Sequence, residues 1–101
     1  MSDFDYLQLE DLIHSRVRLS IMTALITSIE VDFSFLKEKL HLSDGNLSVN
    51  MRKLEEAGYV NITKQFIKRK PRTTYRITEK GREAFEKYIG NLKKIIEATE
   101  N

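Results

Sequence analysis

Residues Ser43 to Gly58 read Ser-Asp-Gly-Asn-Leu-Ser-Val-Asn-Met-Arg-Lys-Leu-Glu-Glu-Ala-Gly, and the other elements of the chain can be placed around them. Ser43 is a good N-cap, and Asp44 falls in the first turn, where the helix dipole favours an anion. Gly58 is the residue type that most readily takes the left-handed conformation past a helix C-terminus. Between these signals Leu47, Met51 and Leu54 recur at helical spacing and share one face. Gly45, Ser48, Val49 and Arg52 fall on the opposite face, with Asn46 and Lys53 on its flank. A solvated helix face normally carries Glu, Lys and Gln. A glycine, short hydroxyl and amide side chains and an outward valine instead suit close approach to donors, acceptors and methyl groups, such as those of the DNA major groove. Taken alone, the helix reads equally well as an amphipathic core helix with an unremarkable surface.

The composition sets the frame. The chain has 101 residues, 41% hydrophobic and 32% charged, which suits one globular domain spanning residues 1–101. It has no cysteine, which excludes disulfides, thiolate metal sites and thiol redox sensing. The longest uncharged run, Leu19 to Ile29, is too short to cross a bilayer, and the acidic N-terminus does not read as a signal peptide. The expectation is a soluble, cytoplasmic protein without a membrane partner. The net charge is only +2, but residues 1–50 hold four basic and eight acidic side chains, against thirteen and seven in residues 51–101. Within 64–82 there are eight basic residues and a single acid, Glu79. Such a cluster makes a local positive field suited to phosphate, although a basic loop can also be merely solvated.

In chain order, Phe4 to Ile13 reads as a short helix. Arg16 to Ser28 is apolar around more than half its circumference and should lie at the centre of the core. After a break in which Val31 suits a very short strand, Asp32 or Ser34 caps a helix bearing Phe35, Leu36 and Leu40. His41 and Leu42 then link it to the Ser43 helix, giving a helix-turn-helix whose turn contains no glycine. Beyond Gly58 the period changes to two. Tyr59 to Lys64 and Thr73 to Ile77 alternate as strands, joined by a basic turn, Ile67 to Arg72, that holds the only proline. Thr78 caps a last helix to about Glu97, with Phe85, Tyr88, Ile89, Leu92, Ile95 and Ile96 along one stripe.

A helix-turn-helix followed at once by a basic hairpin is the winged-helix arrangement, mainly α with a small β-hairpin wing. The motifs 15–22, 32–36, 43–48, 52–60 and 71–81, in this order, resemble the MarR- and ArsR-like winged-helix transcriptional regulators in their minimal form. The resemblance implies a homodimer that binds a roughly palindromic operator in double-stranded DNA. It also implies groove contacts from Ser43, Gly45, Asn46, Ser48, Val49, Arg52 and Lys53. The wing contacts would come from Lys64, Lys68, Arg69, Lys70, Arg72 and Thr73, with Arg72 placed to reach the minor groove, whose negative potential suits an arginine. Because Glu55 and Glu56 give the recognition helix a net charge of −1, its first half should face DNA while the acids sit away from phosphate.

Two segments need cover that one small domain does not supply. A helix from Thr78 to Glu97 is about 30 Å long, comparable with the domain's own diameter. Its stripe would leave Tyr88, Leu92, Ile95 and Ile96 for a partner, together with Phe4 and Leu7 from the N-terminal segment. The terminal helices 1–14 and 78–101 are therefore expected to form the dimer interface, the alternative being that they cover one another within one chain.

No nucleophile–histidine–acid set, glycine-rich phosphate loop or paired-carboxylate motif is present, so catalysis is not expected. With no cysteine, and with His14 and His41 on different elements where each reads as a surface or helix-end histidine, neither a metal nor a cofactor is expected. A small-molecule effector is not indicated, and 101 residues leave little room for a dedicated pocket. The rival readings are a winged-helix protein-interaction module and a nonspecific chromatin-associated DNA-binding protein. The basic wing argues against the first. The small, varied outward face of the recognition helix argues against the second, which would favour lysine throughout.

Overall fold

In the computed structural model, which describes residues 11–100, the elements are α1 (Arg16–Ile26), β1 (Val31–Asp32), α2 (Phe33–Leu40), α3 (Asp44–Glu56), β2 (Val60–Ile67), β3 (Lys70–Ile77) and α4 (Glu79–Thr99). The three strands form one antiparallel sheet in the order β1-β3-β2. Four helices around a small sheet, with the β2–β3 hairpin projecting, make a winged helix. Most of the expected first helix, with Phe4 and Leu7, lies outside the described residues, and Asp11 to Ile13 form a turn.

Helix starts follow the side-chain chemistry. Ser15, Asp32, Ser43 and Thr78 are all extended N-caps whose side-chain oxygens accept from the backbone N–H three residues on. Asp32, rather than Ser34, caps α2, accepting from Phe35 N–H at 2.7 Å. Helix α1 stops at Ile26, two residues short of the expected end, with Thr27 as its C-cap.

Two helices end in the same motif. After α3, Gly58 at φ 81° donates to Glu55 O and Tyr59 donates to Leu54 O, the paired bonds of a Schellman turn. After α2, His41 does what glycine does there: at φ 54° it donates to Glu38 O, while Leu42 donates to Lys37 O. The turn without glycine is therefore made by a left-handed histidine, one of the residue types enriched in that region.

The core joins every element. Ile21, Met22 and Leu25 of α1 meet Leu36 of α2, Leu47, Met51 and Leu54 of α3, Val31, Val60 and Tyr75 of the sheet, and Phe85 and Tyr88 of α4. At about 1.5–3 kcal/mol for each fully buried aliphatic or aromatic side chain, this cluster supplies most of the drive to fold. The α3 face of Leu47, Met51 and Leu54 is thus a core face, and what lies opposite is free to act.

Candidate nucleic-acid interface

The wing is longer and tighter than the sequence suggests. Pairing continues from Val60↔Ile77 to Ile67↔Lys70, so Ile67 and Lys70 to Arg72 lie in strands and the loop is only Lys68-Arg69. Both loop residues have positive φ, 52° and 67°, as a type I′ two-residue turn requires. Asn-Gly normally fills such a turn because left-handed backbone costs other residues about 1–2 kcal/mol each. Here two cations hold it. Pro71 lies within β3, opposite Phe66. The loop-closing pair of a two-residue hairpin is hydrogen-bonded, so by antiparallel alternation the next pair, Phe66↔Pro71, is not. The nitrogen of Pro71 therefore points to the open edge, where no ladder bond is lost.

Strand β1 pairs with β3 only at Thr74 and Tyr75. Outward from the Lys64↔Thr73 rung the wing is a two-stranded ribbon of four rungs, about 13 Å long. Its tip is Lys68-Arg69. Arg72 lies on the third rung back from it, opposite Gln65, with its guanidinium 3.8 Å from Asp32, the residue that also caps α2. Arg76 is held more firmly, donating from Nε and Nη2 to Glu30 Oε2 at 3.1 and 2.9 Å. The hydrogen bond from Arg76, with a further one from Thr74, lowers the Glu30 carboxyl below its ordinary value. Arg72 and Arg76 thus share the sheet face that carries Asp32 of β1 and Glu30 just before it, and the outermost reach falls to Lys68 and Arg69.

The other face of the wing turns toward α3. A cleft of about 640 Å³ lies between them, lined by Ser48, Arg52 and Glu55 of α3, Lys64 and Thr73 of the wing, and Tyr75 and Met51 beneath. The fold thus brings together Ser48, Arg52, Lys64 and Thr73 from two separate elements. Gly45, Asn46, Val49 and Lys53 are exposed along the rest of the outward face, with Val49 51% exposed. Nothing lies within 4 Å of a β carbon built on Gly45, so its bare backbone is open to an approaching surface. Of the two acids expected to sit away from phosphate, Glu56 does not line this cleft and Glu55 does. Glu55 follows Ser48 and Arg52 along the same stripe, at seven and three residues, and so lines the cleft too. Burial, and secondarily the Glu55 charge, raises the Tyr75 hydroxyl to about 12.

On the opposite flank the helix is braced from within. Arg18 of α1 donates to Asn50 Oδ1 at 2.8 Å, and Asn50 Nδ2 donates to Asn46 O and Oδ1 at 2.9 and 2.6 Å. Arg18 also donates to Leu12 O. This chain orients Asn46, yet the sequence reading named neither Arg18 nor Asn50. The available signal was an asparagine one turn after another. Lys37 pairs with Asp44 at 2.8 Å, tying α2 to the first turn of α3.

Of the expected interface residues on α4, Tyr88 is covered within its own chain, 3% exposed, with its hydroxyl 2.7 Å from His14 Nδ1. Leu92 and Ile95 are half-buried, and Ile96 is 55% exposed. Among the described residues no group of His, Cys, Asp or Glu could hold a metal ion, and no helix is long and apolar enough to cross a membrane.

Comparisons with known proteins agree with this geometry. Residues 17–96 match the family model described as the winged helix DNA-binding domain. An uncharacterized protein of Methanocaldococcus jannaschii is 46% identical over 76 residues, which is 75% of this chain and 83% of its relative. The structure of a transcriptional regulator homologue from Pyrococcus horikoshii OT3 superposes with a TM-score of 0.85 at 33% identity, covering 91% of both chains. YusO of Bacillus subtilis shares the fold at 15% identity, with a TM-score of 0.75 over 92% of this chain and 65% of its own. The motif order, the helix-and-wing geometry and the sequence matches converge: this chain belongs to the winged helix DNA-binding domain family.

Proposed function

We propose that this chain is a sequence-specific transcriptional regulator of the MarR- or ArsR-like kind, a single domain acting as a homodimer on double-stranded DNA. In this reading α3 enters the major groove through Gly45, Asn46, Ser48, Val49 and Arg52, with Ser43 and Lys53 at the margins. The wing, through Lys64, Lys68, Arg69, Lys70, Arg72 and Thr73, follows phosphate and the neighbouring minor groove. Such a regulator works at the nucleoid, in the cytoplasm. The family is one of DNA-binding regulators and not of enzymes.

The supporting observation is the pairing of two unlike surfaces across one cleft. Exposed Ser48, Val49 and Arg52 are short, apolar and bidentate respectively, a set suited to hydroxyl contacts, thymine methyl groups and guanine edges. The wing beside them carries no acid from Val60 to Ile77, a composition suited to phosphate. A nonspecific binder has no use for the first surface, and a protein-interaction module has none for the second.

Selection of bound duplexes from a random pool at stated salt tests this. Enrichment of a pseudo-palindrome with half-sites one helical turn apart is the expected outcome. Recovery of the input pool unchanged, despite binding, would assign the protein to the nonspecific class. No retention of duplex DNA at low salt would leave the protein-interaction reading.

A further inference from the structure

The outer wing carries an apolar side chain that folding does not require. Strand alternation puts Phe66 on the same face as Val60, Ile62 and Lys64. Near its base this face covers the core. By residue 66 the ribbon has left the core behind, and the ring is 78% exposed. Pro71 stands directly opposite in a non-hydrogen-bonded pair, the kind whose side chains approach most closely. A rigid pyrrolidine therefore backs the ring. Around the pair lie Lys64, Lys68, Arg69 and Lys70, in a hairpin without a single acid.

Charge complementarity names the occupant. An aromatic ring amid cations fits a polyanion with an apolar interior, which is duplex DNA: phosphates outside, stacked bases within. We propose that Phe66, backed by Pro71, is a wedge that enters the minor groove beside the recognition site, partly unstacks one base step and bends the duplex. This rests on the DNA-binding reading above and adds a residue and a deformation to it. Apolar side chains inserted between base steps kink DNA toward the major groove by about 20–90°. The cations next to Phe66 hold the flanking phosphates while the ring enters. A wedge also confers preference without hydrogen bonds, because pyrimidine–purine steps unstack most easily.

The test uses the full chain and the duplex best enriched from a random pool, labelled at both ends for energy transfer. With wild-type protein the ends should approach by the amount a bend of about 20–90° gives. Phe66→Ala should leave the complex nearly straight, with the slope of log affinity against log salt unchanged because no cation is lost. Phe66→Leu should restore part of the bend, since leucine also serves as a wedge. The ring is exposed, so far-UV circular dichroism of each variant should match the wild type. A straight wild-type complex, or a Phe66→Ala complex bent as fully as the wild type, overturns the wedge and leaves DNA recognition standing. Weakened self-association of Phe66→Ala in sedimentation would assign the ring to a second copy and overturn it likewise. Failure of the wild type to retain any duplex at low salt removes the DNA-binding reading itself, before any bend is measured.

Discussion

A β carbon built on Gly81 would lie 2.2 Å from the carbonyl oxygen of Tyr59. That oxygen accepts from Thr78 N–H at 3.0 Å, while Thr78 Oγ1 donates to Gly58 O at 2.6 Å and accepts from Gly81 N–H at 2.9 Å. The start of α4 is thus bolted to the end of α3, and the obstacle at Gly81 is backbone, which cannot rotate aside. Gly81→Ala should destabilise the fold by about 3 kcal/mol, as overpacking does where nothing relaxes. Gly90 has open space around it and lies on the side of α4 opposite Leu92. There Gly→Ala should stabilise by about 0.5–1 kcal/mol through helix propensity alone. Urea unfolding of the two variants checks both signs. Equal effects would show that the approach of α4 to Tyr59 is not tight.

The wing tip invites the opposite experiment. Lys68 and Arg69 occupy left-handed backbone that Asn-Gly would accept without strain. Lys68→Asn with Arg69→Gly should therefore stabilise the protein by about 1–3 kcal/mol. The same change removes two cations from the tip, so the slope of log affinity against log salt should flatten by about two. Strain held at the tip of a wing and relieved only at a cost in binding is a signature of function. A variant that is more stable and binds DNA with an unchanged slope would show that the tip does not touch phosphate.

The tip also marks where the sequence stops being legible. The limits of α3 could be read from Ser43 and Gly58 because caps are local chemistry, and its core face because Leu47, Met51 and Leu54 obey the helical period. The hairpin's ends were harder. Pro71 and its charged neighbours look like a loop, and only the pairing with Phe66 shows a proline placed where a strand tolerates it. Lys68-Arg69 carries none of the usual composition of a two-residue turn. Contacts between elements were invisible: Arg18 to Asn50 spans 32 residues, and Arg76 to Glu30 spans 46. The helical period already puts Glu55 on the stripe of Ser48 and Arg52; what the sequence did not show is that the wing closes a cleft over that stripe.

The Arg18–Asn50–Asn46 chain predicts a separable effect on recognition. Arg18 lies on α1, behind α3, and reaches Asn46 only through Asn50. Arg18→Ala should loosen the orientation of Asn46 without removing any outward-facing side chain. Selection of bound sequences with this variant should relax preference at the base pair facing Asn46, by about 1 kcal/mol and less than Asn46→Ala, while the other positions keep their preferences. An unaltered preference with uniformly weaker binding would mean that Arg18 acts on stability alone. Arg18→Lys distinguishes these outcomes further: it keeps the charge but loses the planar fork, and should behave like alanine for specificity.

The remaining prediction concerns assembly. Helix α4 has 21 residues, about 31 Å at 1.5 Å per residue. The core engages it through Phe85 and Tyr88, with Ile89 and Leu92 packed against its edge and Asn91 buried, and then falls away, leaving Ile95 half-buried and Ile96 55% exposed. The molecule measures 59 × 26 × 20 Å, and its radius of gyration of 15.5 Å exceeds the roughly 13 Å of a compact chain of this length. A stripe of leucine and isoleucine that outlasts its own core is the kind of surface that marks an interface. Two copies packing these helices about a two-fold axis would cover both stripes and present two α3 helices to successive major grooves about 34 Å apart. Tyr88, already buried and bonded to His14, would lie at the inner edge of that contact and contribute little new area. Leu92→Glu with Ile96→Glu should give monomers of 11.8 kDa in sedimentation equilibrium at micromolar concentration, with an intact far-UV spectrum because neither side chain is fully buried. Binding to a selected palindrome should fall steeply, since the second half-site no longer adds to the first through a linked contact, while binding to a single half-site should change little. A wild-type chain that sediments as a monomer and binds tightly as one copy per site would end the dimer proposal and return Leu92, Ile95 and Ile96 to cover within one chain.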